Sequence, residues 1–99
     1  MTALASIALS GLNAASLRLD SAAHNIANLQ TPEFRRQQVR QQALPEGGVR
    51  ADIDRAAVPG DALAEDIVGQ MAASIDYRAN LKLLKTGDEL LGRLLDLRA

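Results

Sequence analysis

Apolar residues recur at helical spacing near both ends of this chain and are sparse between them. Spacings of three and four residues in the first segment are the heptad pattern of a helix that packs along a partner. A second pattern of helical period fills the C-terminal third. Neither stripe can bury its apolar face alone, so we expect two long terminal helices that pair as a helical hairpin or coiled coil. The first seam consists of Ala5, Ala8, Leu12, Ala15, Leu19, Ala22, Ile26 and Leu29.

Proline and glycine divide the chain into three segments. Pro32 disfavours the helical conformation at the residue before it and has no backbone N–H, so the first helix should end near Asn28. Pro59 and Gly60 close the polar middle segment, and the second helix should run from about residue 62 to residue 97. We therefore predict a helical segment within residues 1–31, a connector over residues 32–60 and a second helical segment within residues 61–99.

The connector carries the pattern of a short β-hairpin. Its turn is predicted at residues 45–48, which read Pro-Glu-Gly-Gly. The predicted fold class is thus all-α, with two long terminal helices and a short polar connector that holds a small hairpin. Period-two positions flank the turn at Val39, Gln41, Ala43, Val49, Ala51 and Ile53.

The net charge of the chain does not indicate that it binds nucleic acid. Eleven Lys and Arg stand against twelve Asp and Glu in 99 residues, a formal net charge of −1. The stretch at residues 35–42 is rich in Arg and Gln, but Phe34 is the only aromatic beside it, and Asp52 and Asp54 follow closely. A solvated strand face is the favoured interpretation of this stretch, and no nucleic-acid partner is expected.

The residues that catalysis and metal binding need are scarce. His24 is the only histidine and the chain has no cysteine, which excludes the usual zinc sites and a Cys–His pair. Glu65 and Asp66 stand in the first turn of a predicted helix, where negative charge is stabilising. We expect no catalytic residue, cofactor, metal or small-molecule substrate.

The N-terminal segment is apolar without the features of a targeting sequence. No Lys or Arg precedes Arg18, and serines interrupt the apolar run. A cleaved signal peptide is therefore not expected. The apolar runs are also too short for a membrane-spanning helix, so no membrane insertion is expected.

Both ends of the chain resemble the flagellar rod and hook family of bacterial axial proteins, as a short rod-type member. Residues 25–34 read Asn-Ile-Ala-Asn-Leu-Gln-Thr-Pro-Glu-Phe, which is similar to the motif that ends the family's N-terminal helix. Residues 63–68, 75–80 and 86–91 resemble its C-terminal helix in order and spacing. The motif residues expected to matter for assembly are Asn25, Ile26, Asn28, Thr31, Pro32, Phe34, Tyr77 and Asn80.

This resemblance implies a structural role in the flagellar basal body. Members of the family pass through the flagellar type III export apparatus without a cleaved signal. They then polymerise with their own copies and with other rod or hook proteins through paired terminal helices. Apolar residues expected at such helix interfaces are Leu12, Leu19, Ile67, Met71, Leu81, Leu84, Leu91 and Leu95.

Several alternatives stay open at the level of sequence. Glu33 stands where the family motif usually has glycine, which should remove the easy left-handed turn. Asn25 and Asn28 either cap the last helical turn or fix the bend into the connector. Asn80 either hydrogen-bonds across a helix interface or faces solvent. A second functional hypothesis is a non-catalytic helical adaptor or export-cargo helper that forms a small closed oligomer.

Overall fold

The computed structural model describes residues 2–98, which form two long helices separated by a β-hairpin. Helix α1 spans Thr2–Ala27, strand β1 spans Gln37–Ala43, strand β2 spans Val49–Arg55 and helix α2 spans Leu63–Arg98. The predicted terminal helices and the hairpin are thereby confirmed. The first helix ends one residue before Asn28, as the restriction that Pro32 places on the chain predicts.

The two helices pack side by side and run antiparallel. Gly11 of α1 lies against Asn80, whereas Asn25, further along α1, reaches Asp66 near the start of α2. The buried apolar residues of α1 include half of the predicted seam, and alanine at most of these positions lets a neighbouring helix approach closely. Those seam residues are Ala8, Leu12, Ala15 and Ala22.

The face of α2 that packs against α1 is made of small and polar residues. Asp66, Ala73, Asn80 and Gly87 follow one another at heptad spacing, and all four are buried or half-buried. The large apolar residues of α2 lie mostly on its other faces. The sequence patterns predicted a helix here, but they did not identify this small-residue seam.

The hairpin packs on α1. Its strands are antiparallel, with Val39 opposite Ile53 and Ala43 opposite Val49. The Val49 backbone N–H donates to Ser10 Oγ at 3.1 Å. Gly47 has a φ of 95°, and a Cβ there would lie 2.8 Å from Ile7 Cδ1. Glycine thus meets both the turn geometry and the close approach to α1.

This arrangement leaves an unusually large surface in contact with solvent. The accessible surface is 7113 Å², whereas a folded monomer of 10.5 kDa is expected to expose about 5,400 Å². The radius of gyration is 17.3 Å, compared with about 13 Å for a compact domain of this length. Within residues 2–98, the buried apolar side chains are alanines and a single leucine. The chain therefore buries little of its apolar surface by itself.

Candidate assembly surfaces

The C-terminus of α1 is closed by a side chain of the same segment. Asn28 Nδ2 donates to the His24 carbonyl at 2.9 Å, and its Oδ1 accepts a bond from Thr31 Oγ1 at 3.2 Å. The His24 carbonyl also accepts the Asn28 backbone N–H at 3.1 Å, so the Asn28 side chain adds a second hydrogen bond to the last turn of the helix. Asn28 thus takes the local capping role.

The turn that follows is left-handed at Glu33. Its φ is 59°, and the Phe34 N–H donates to the Thr31 carbonyl at 3.3 Å across the turn. Pro32 occupies the position that proline favours in such a turn. The expectation that glutamate removes this turn is wrong, because Glu33 adopts the strained conformation instead. The Phe34 ring then lies tilted against His24, with 5.4 Å between the ring centroids.

Asn25 joins α1 to the start of the hairpin. Its Nδ2 donates to the Gln37 carbonyl at 2.9 Å, and its Oδ1 accepts the Gln37 N–H at 2.7 Å. The Asn25 amide therefore pairs with the backbone of Gln37 as a neighbouring strand would. Asn25 is buried, at 4% exposure. This amide fixes the direction in which the chain leaves α1.

A buried ion pair ties the same region to α2. Arg36 Nε donates to Asp66 Oδ2 at 3.2 Å, and Arg36 Nη2 donates to the other carboxylate oxygen. The hydrogen bond with Asp66 raises the pKa of Arg36 above the ordinary arginine value. Asn25, Arg36, Gln37 and Asp66 form what we call the head cluster, which links α1, β1 and α2 at one end of the molecule.

Sequence reasoning missed two members of this cluster. The sequence pattern favours a solvated strand face for Arg36, but its guanidinium is mostly buried against Asp66. Asp66 was interpreted as a charge that favours the helix N-terminus, yet it is 6% exposed and accepts bonds from Arg36 and Asn25. A signal existed in the heptad spacing from Asp66 to Ala73, which places Asp66 on the α1 side of α2.

The middle of the helix pair has a close contact at Gly11. A Cβ added there would lie 2.6 Å from Asn80 Cγ. Asn80 is half-buried at this point and donates to the Asp76 carbonyl of its own helix at 2.9 Å. Its amide therefore packs on α1 while its hydrogen bond stays within α2. Arg18 of α1 pairs with Asp76 beside this contact.

The residues predicted from the family motif occupy several environments. Ile26 and Phe34 are half-buried, whereas Thr31 and Pro32 are exposed in the turn. Tyr77 on α2 is 38% exposed. The head cluster and the turn thus bring together Asn25, Asn28 and Phe34, while Tyr77 lies far along α2 from them.

The predicted interface residues divide into two groups. Leu12 is buried, and Leu19 and Leu84 are half-buried. The other five side chains, on α2, are between 41% and 63% exposed. This exposed group comprises Ile67, Met71, Leu81, Leu91 and Leu95.

The opposite end of the molecule, which we call the tail end, is formed by the start of α1 and the end of α2. Leu4 and Ala5 of α1 face Gly87 and Leu91 of α2 across an apolar notch. Gly11 lies against Asn80, and Leu4 and Ala5 share a notch with Gly87 and Leu91, so the first residues of α1 lie opposite residues 87–91. Residues 92–98 of α2 therefore extend beyond α1.

Neither helix of residues 2–98 combines the length and apolar content that crossing a membrane requires. Over the same residues, no cluster of three or more His, Cys, Asp or Glu side chains could hold a metal ion.

Comparison with known families identifies the N-terminal part of the chain. Residues 6–35 match the family model described as flagella basal body rod protein. This range covers most of α1 and continues through the turn at Glu33. No curated protein matches the chain. The resemblance found in the sequence is thus confirmed over residues 6–35, the segment that matches the flagellar basal-body rod protein family.

Proposed function

We propose that this protein is a structural, non-catalytic subunit of the bacterial flagellar basal-body rod. Its partners are further copies of itself and other rod or hook proteins, and it reaches them through the flagellar type III export apparatus. Residues 1–31 and 61–99 act as the axial-type helices of this subunit. Residues 32–60 are the connector that orients one helix against the other.

One observation carries this proposal beyond the family match. The helix pair is held by a seam of small and polar residues, and the large apolar side chains of α2 are left outside it. The accessible surface exceeds that of a compact monomer by about 1,700 Å². Burial of each further 100 Å² of apolar surface would contribute about 2.5 kcal/mol before the entropic costs of association. Assembly would therefore stabilise this chain strongly.

The mechanism follows from the division of the two helices into inner and outer faces. Ala8, Ala15 and Ala73 hold α1 and α2 together as one unit, and the outer residues of that unit make the contacts between subunits in coiled-coil fashion. The motif residues at the head end orient the unit. Asn25 fixes the connector, and the turn at Glu33 directs it towards α2.

The proposal is tested in the bacterium that encodes the chain. The native protein is replaced there by variants with a substitution on the outer face of α2. Ile67→Glu and Met71→Glu place charge on the outer face of α2 without entering the α1 contact. We expect both to abolish swimming motility and rod completion. Lys82→Glu, which changes the charge at an exposed polar position of the same helix, is the matched control and should swim normally.

The outcome separates the rod subunit from the adaptor hypothesis. Normal motility in Ile67→Glu and Met71→Glu cells that accumulate the protein would contradict the rod proposal. Purification of the unaltered protein as a closed dimer or tetramer, absent from isolated basal bodies, would support the helical adaptor instead. Recovery of the protein within basal bodies would support the rod subunit.

A further inference from the structure

A groove beside the head cluster separates β1 from α2. Side chains of α1 line its floor, and its volume is about 490 Å³. Over residues 2–98, no Cα atom of β1 lies within 8 Å of a Cα atom of α2, so these two elements form separate walls. The α2 wall includes Gly69 and Ala72, and such small residues do not fill the space in front of β1. The groove therefore offers room for a further chain alongside β1.

The edge of β1 along this groove has unpaired backbone groups. The hairpin ladder begins with the Ala56 N–H, which donates to the Arg36 carbonyl at 2.8 Å. Because backbone groups alternate in direction along an antiparallel strand, those of odd-numbered β1 residues face away from β2. At Gln37 both outward groups bond to the Asn25 side chain. Val39 is the next such residue and lines the groove. Within residues 2–98, no hydrogen bond occupies its outward N–H and carbonyl.

Two buried polar atoms in the floor of the groove have no hydrogen-bond partner within residues 2–98. They are Ser21 Oγ and Arg18 Nε. Ser21 is only 3% exposed, and Arg18 pairs with Asp76 through its Nη2 rather than its Nε. Buried hydroxyl and guanidinium groups are nearly always hydrogen-bonded in folded proteins. Both residues line the groove, so a ligand that lies in it can complete them.

The unused polar atoms require a ligand with hydrogen-bond acceptors. A guanidinium N–H and a backbone N–H only donate, and a serine hydroxyl donates as well as accepts. A carboxylate is the strongest acceptor for this set, because its bond to arginine is charge-assisted. Of the two carboxylates that line the groove, Asp66 is paired with Arg36, and Glu65 is exposed to solvent. The floor therefore favours a ligand that brings an acidic side chain of its own.

We infer that an extended acidic segment of another protein adds to the edge of β1 as a third strand. Its backbone pairs with the outward groups of Val39, and its acidic side chain bonds to Arg18 and Ser21. Because side chains alternate along a strand, every second residue of the added strand faces α1, as the half-buried Val39 does. The edge from residue 36 to residue 40 is about 13 Å long, which accommodates about four residues. This inference is independent of the rod function, since the purified chain is sufficient to test it.

The probe is a capped synthetic heptapeptide, Lys-Thr-Val-Asp-Val-Thr-Lys, whose β-branched residues favour an extended chain. It is titrated into the isotope-labelled full chain and followed by nuclear magnetic resonance. A matched control peptide has lysine in place of the aspartate. We expect saturable shifts centred on residues 37–41 and on Arg18 Nε, and roughly fivefold slower exchange of the Val39 amide. The control peptide should bind roughly tenfold more weakly, because it lacks the charge-assisted bond.

Backbone pairing is tested with two N-methylated forms of the probe. One carries methyl groups on the nitrogens of both valines, and the other carries them on the nitrogens of the aspartate and both threonines. Only every second N–H of an added strand faces β1, so one form should lose binding and the other should retain most of it. Equal binding of the two forms would overturn strand addition.

Substitutions in the floor test the acidic contact. Ser21→Ala should weaken binding of the probe by about three- to tenfold. Arg18→Lys retains the charge beside Asp76 but lacks the Nε–H, so it should reduce the preference for aspartate over lysine. Ser16→Ala, at a half-buried serine of α1 outside the groove, is the matched control and should bind normally.

Three results would overturn the inference. The first is unchanged affinity in both floor variants, and the second is a set of shifts centred on the outer face of α2. The third is reproduction of the Arg18 shifts by sodium acetate while the probe leaves exchange of the Val39 amide unchanged, which would assign the floor to a free carboxylate without strand addition.

Discussion

The two ends of this molecule differ in how their side chains are satisfied. At the head end, Asn25, Arg36 and Asp66 join α1, β1 and α2 through hydrogen bonds and a buried ion pair within one chain. At the tail end, α2 runs past the start of α1 and exposes leucines. Hydrogen-bonded groups are directional and fix one geometry, whereas exposed apolar side chains gain most from a partner that excludes water. One end therefore fixes the shape of the molecule, and the other exposes apolar side chains that this chain does not cover.

The largest expected effect comes from breaking the head cluster. Asp66→Ala leaves the buried guanidinium of Arg36 without its carboxylate and removes the acceptor beside Asn25. We expect the free energy of unfolding to fall by about 3 kcal/mol. Urea denaturation followed by circular dichroism measures this change.

Glu65→Ala is the matched control for that variant. It removes an exposed carboxylate from the same helical turn and should lower the free energy of unfolding by less than about 1 kcal/mol. Equal losses in the two variants would show that Asp66 acts only through the helix dipole.

Gly11→Ala should produce the next largest effect. The added Cβ meets the side chain of Asn80, so the helices must separate or Asn80 must change rotamer, at a cost of about 1–3 kcal/mol in unfolding free energy. Asn80→Ala combined with Gly11→Ala should recover most of this loss, because it removes the colliding amide. Thermal unfolding of the single and double variants checks this prediction.

Gly69→Ala provides a control of opposite sign. A Cβ at Gly69 meets nothing within 4 Å, so replacement of glycine inside α2 should raise the free energy of unfolding by up to about 1 kcal/mol. If Gly11→Ala stabilised the protein to the same degree, the close contact with Asn80 would be refuted.

Glu33→Gly should stabilise the head end modestly. A non-glycine residue in the left-handed region costs about 1–2 kcal/mol, and the greater entropy of glycine in the unfolded chain offsets part of the gain. The expected net rise in unfolding free energy is about 0.5–1 kcal/mol. A fall in the melting temperature of Glu33→Gly would argue against the left-handed turn.

The smallest change in the free energy of unfolding is expected for substitutions of exposed apolar residues on the outside of α2. Val68→Ser and Leu97→Ser should change the unfolding free energy of the monomer by less than about 0.5 kcal/mol, because both side chains are exposed. Their effect should appear in association, measured by sedimentation at rising concentration. A large loss of monomer stability in either variant would place these side chains in the core.

The elements could be predicted from the sequence because their signals are local. Heptad spacing in α1, the restriction at Pro32 and the alternation around residues 45–48 each depend on neighbouring residues. The head cluster depends on Arg36 meeting Asp66 from a distant part of the chain, which no local pattern records. The seam of α2 was also missed, since apolar periodicity draws attention to Ile67 and Met71 rather than to Ala73. The left-handed conformation of Glu33 was missed because glutamate rarely adopts it.

The contrast between the ends is tested most directly by hydrogen exchange of backbone amides at low and high protein concentration. We expect residues 88–97 to exchange rapidly in the dilute monomer, whereas residues 22–27 and 66–73 beside the head cluster should be protected. On concentration, protection should increase in residues 88–97 and leave the head-cluster amides nearly unchanged. Strong protection of residues 88–97 in the dilute monomer, with no dependence on concentration, would contradict the claim that a second chain completes the tail end.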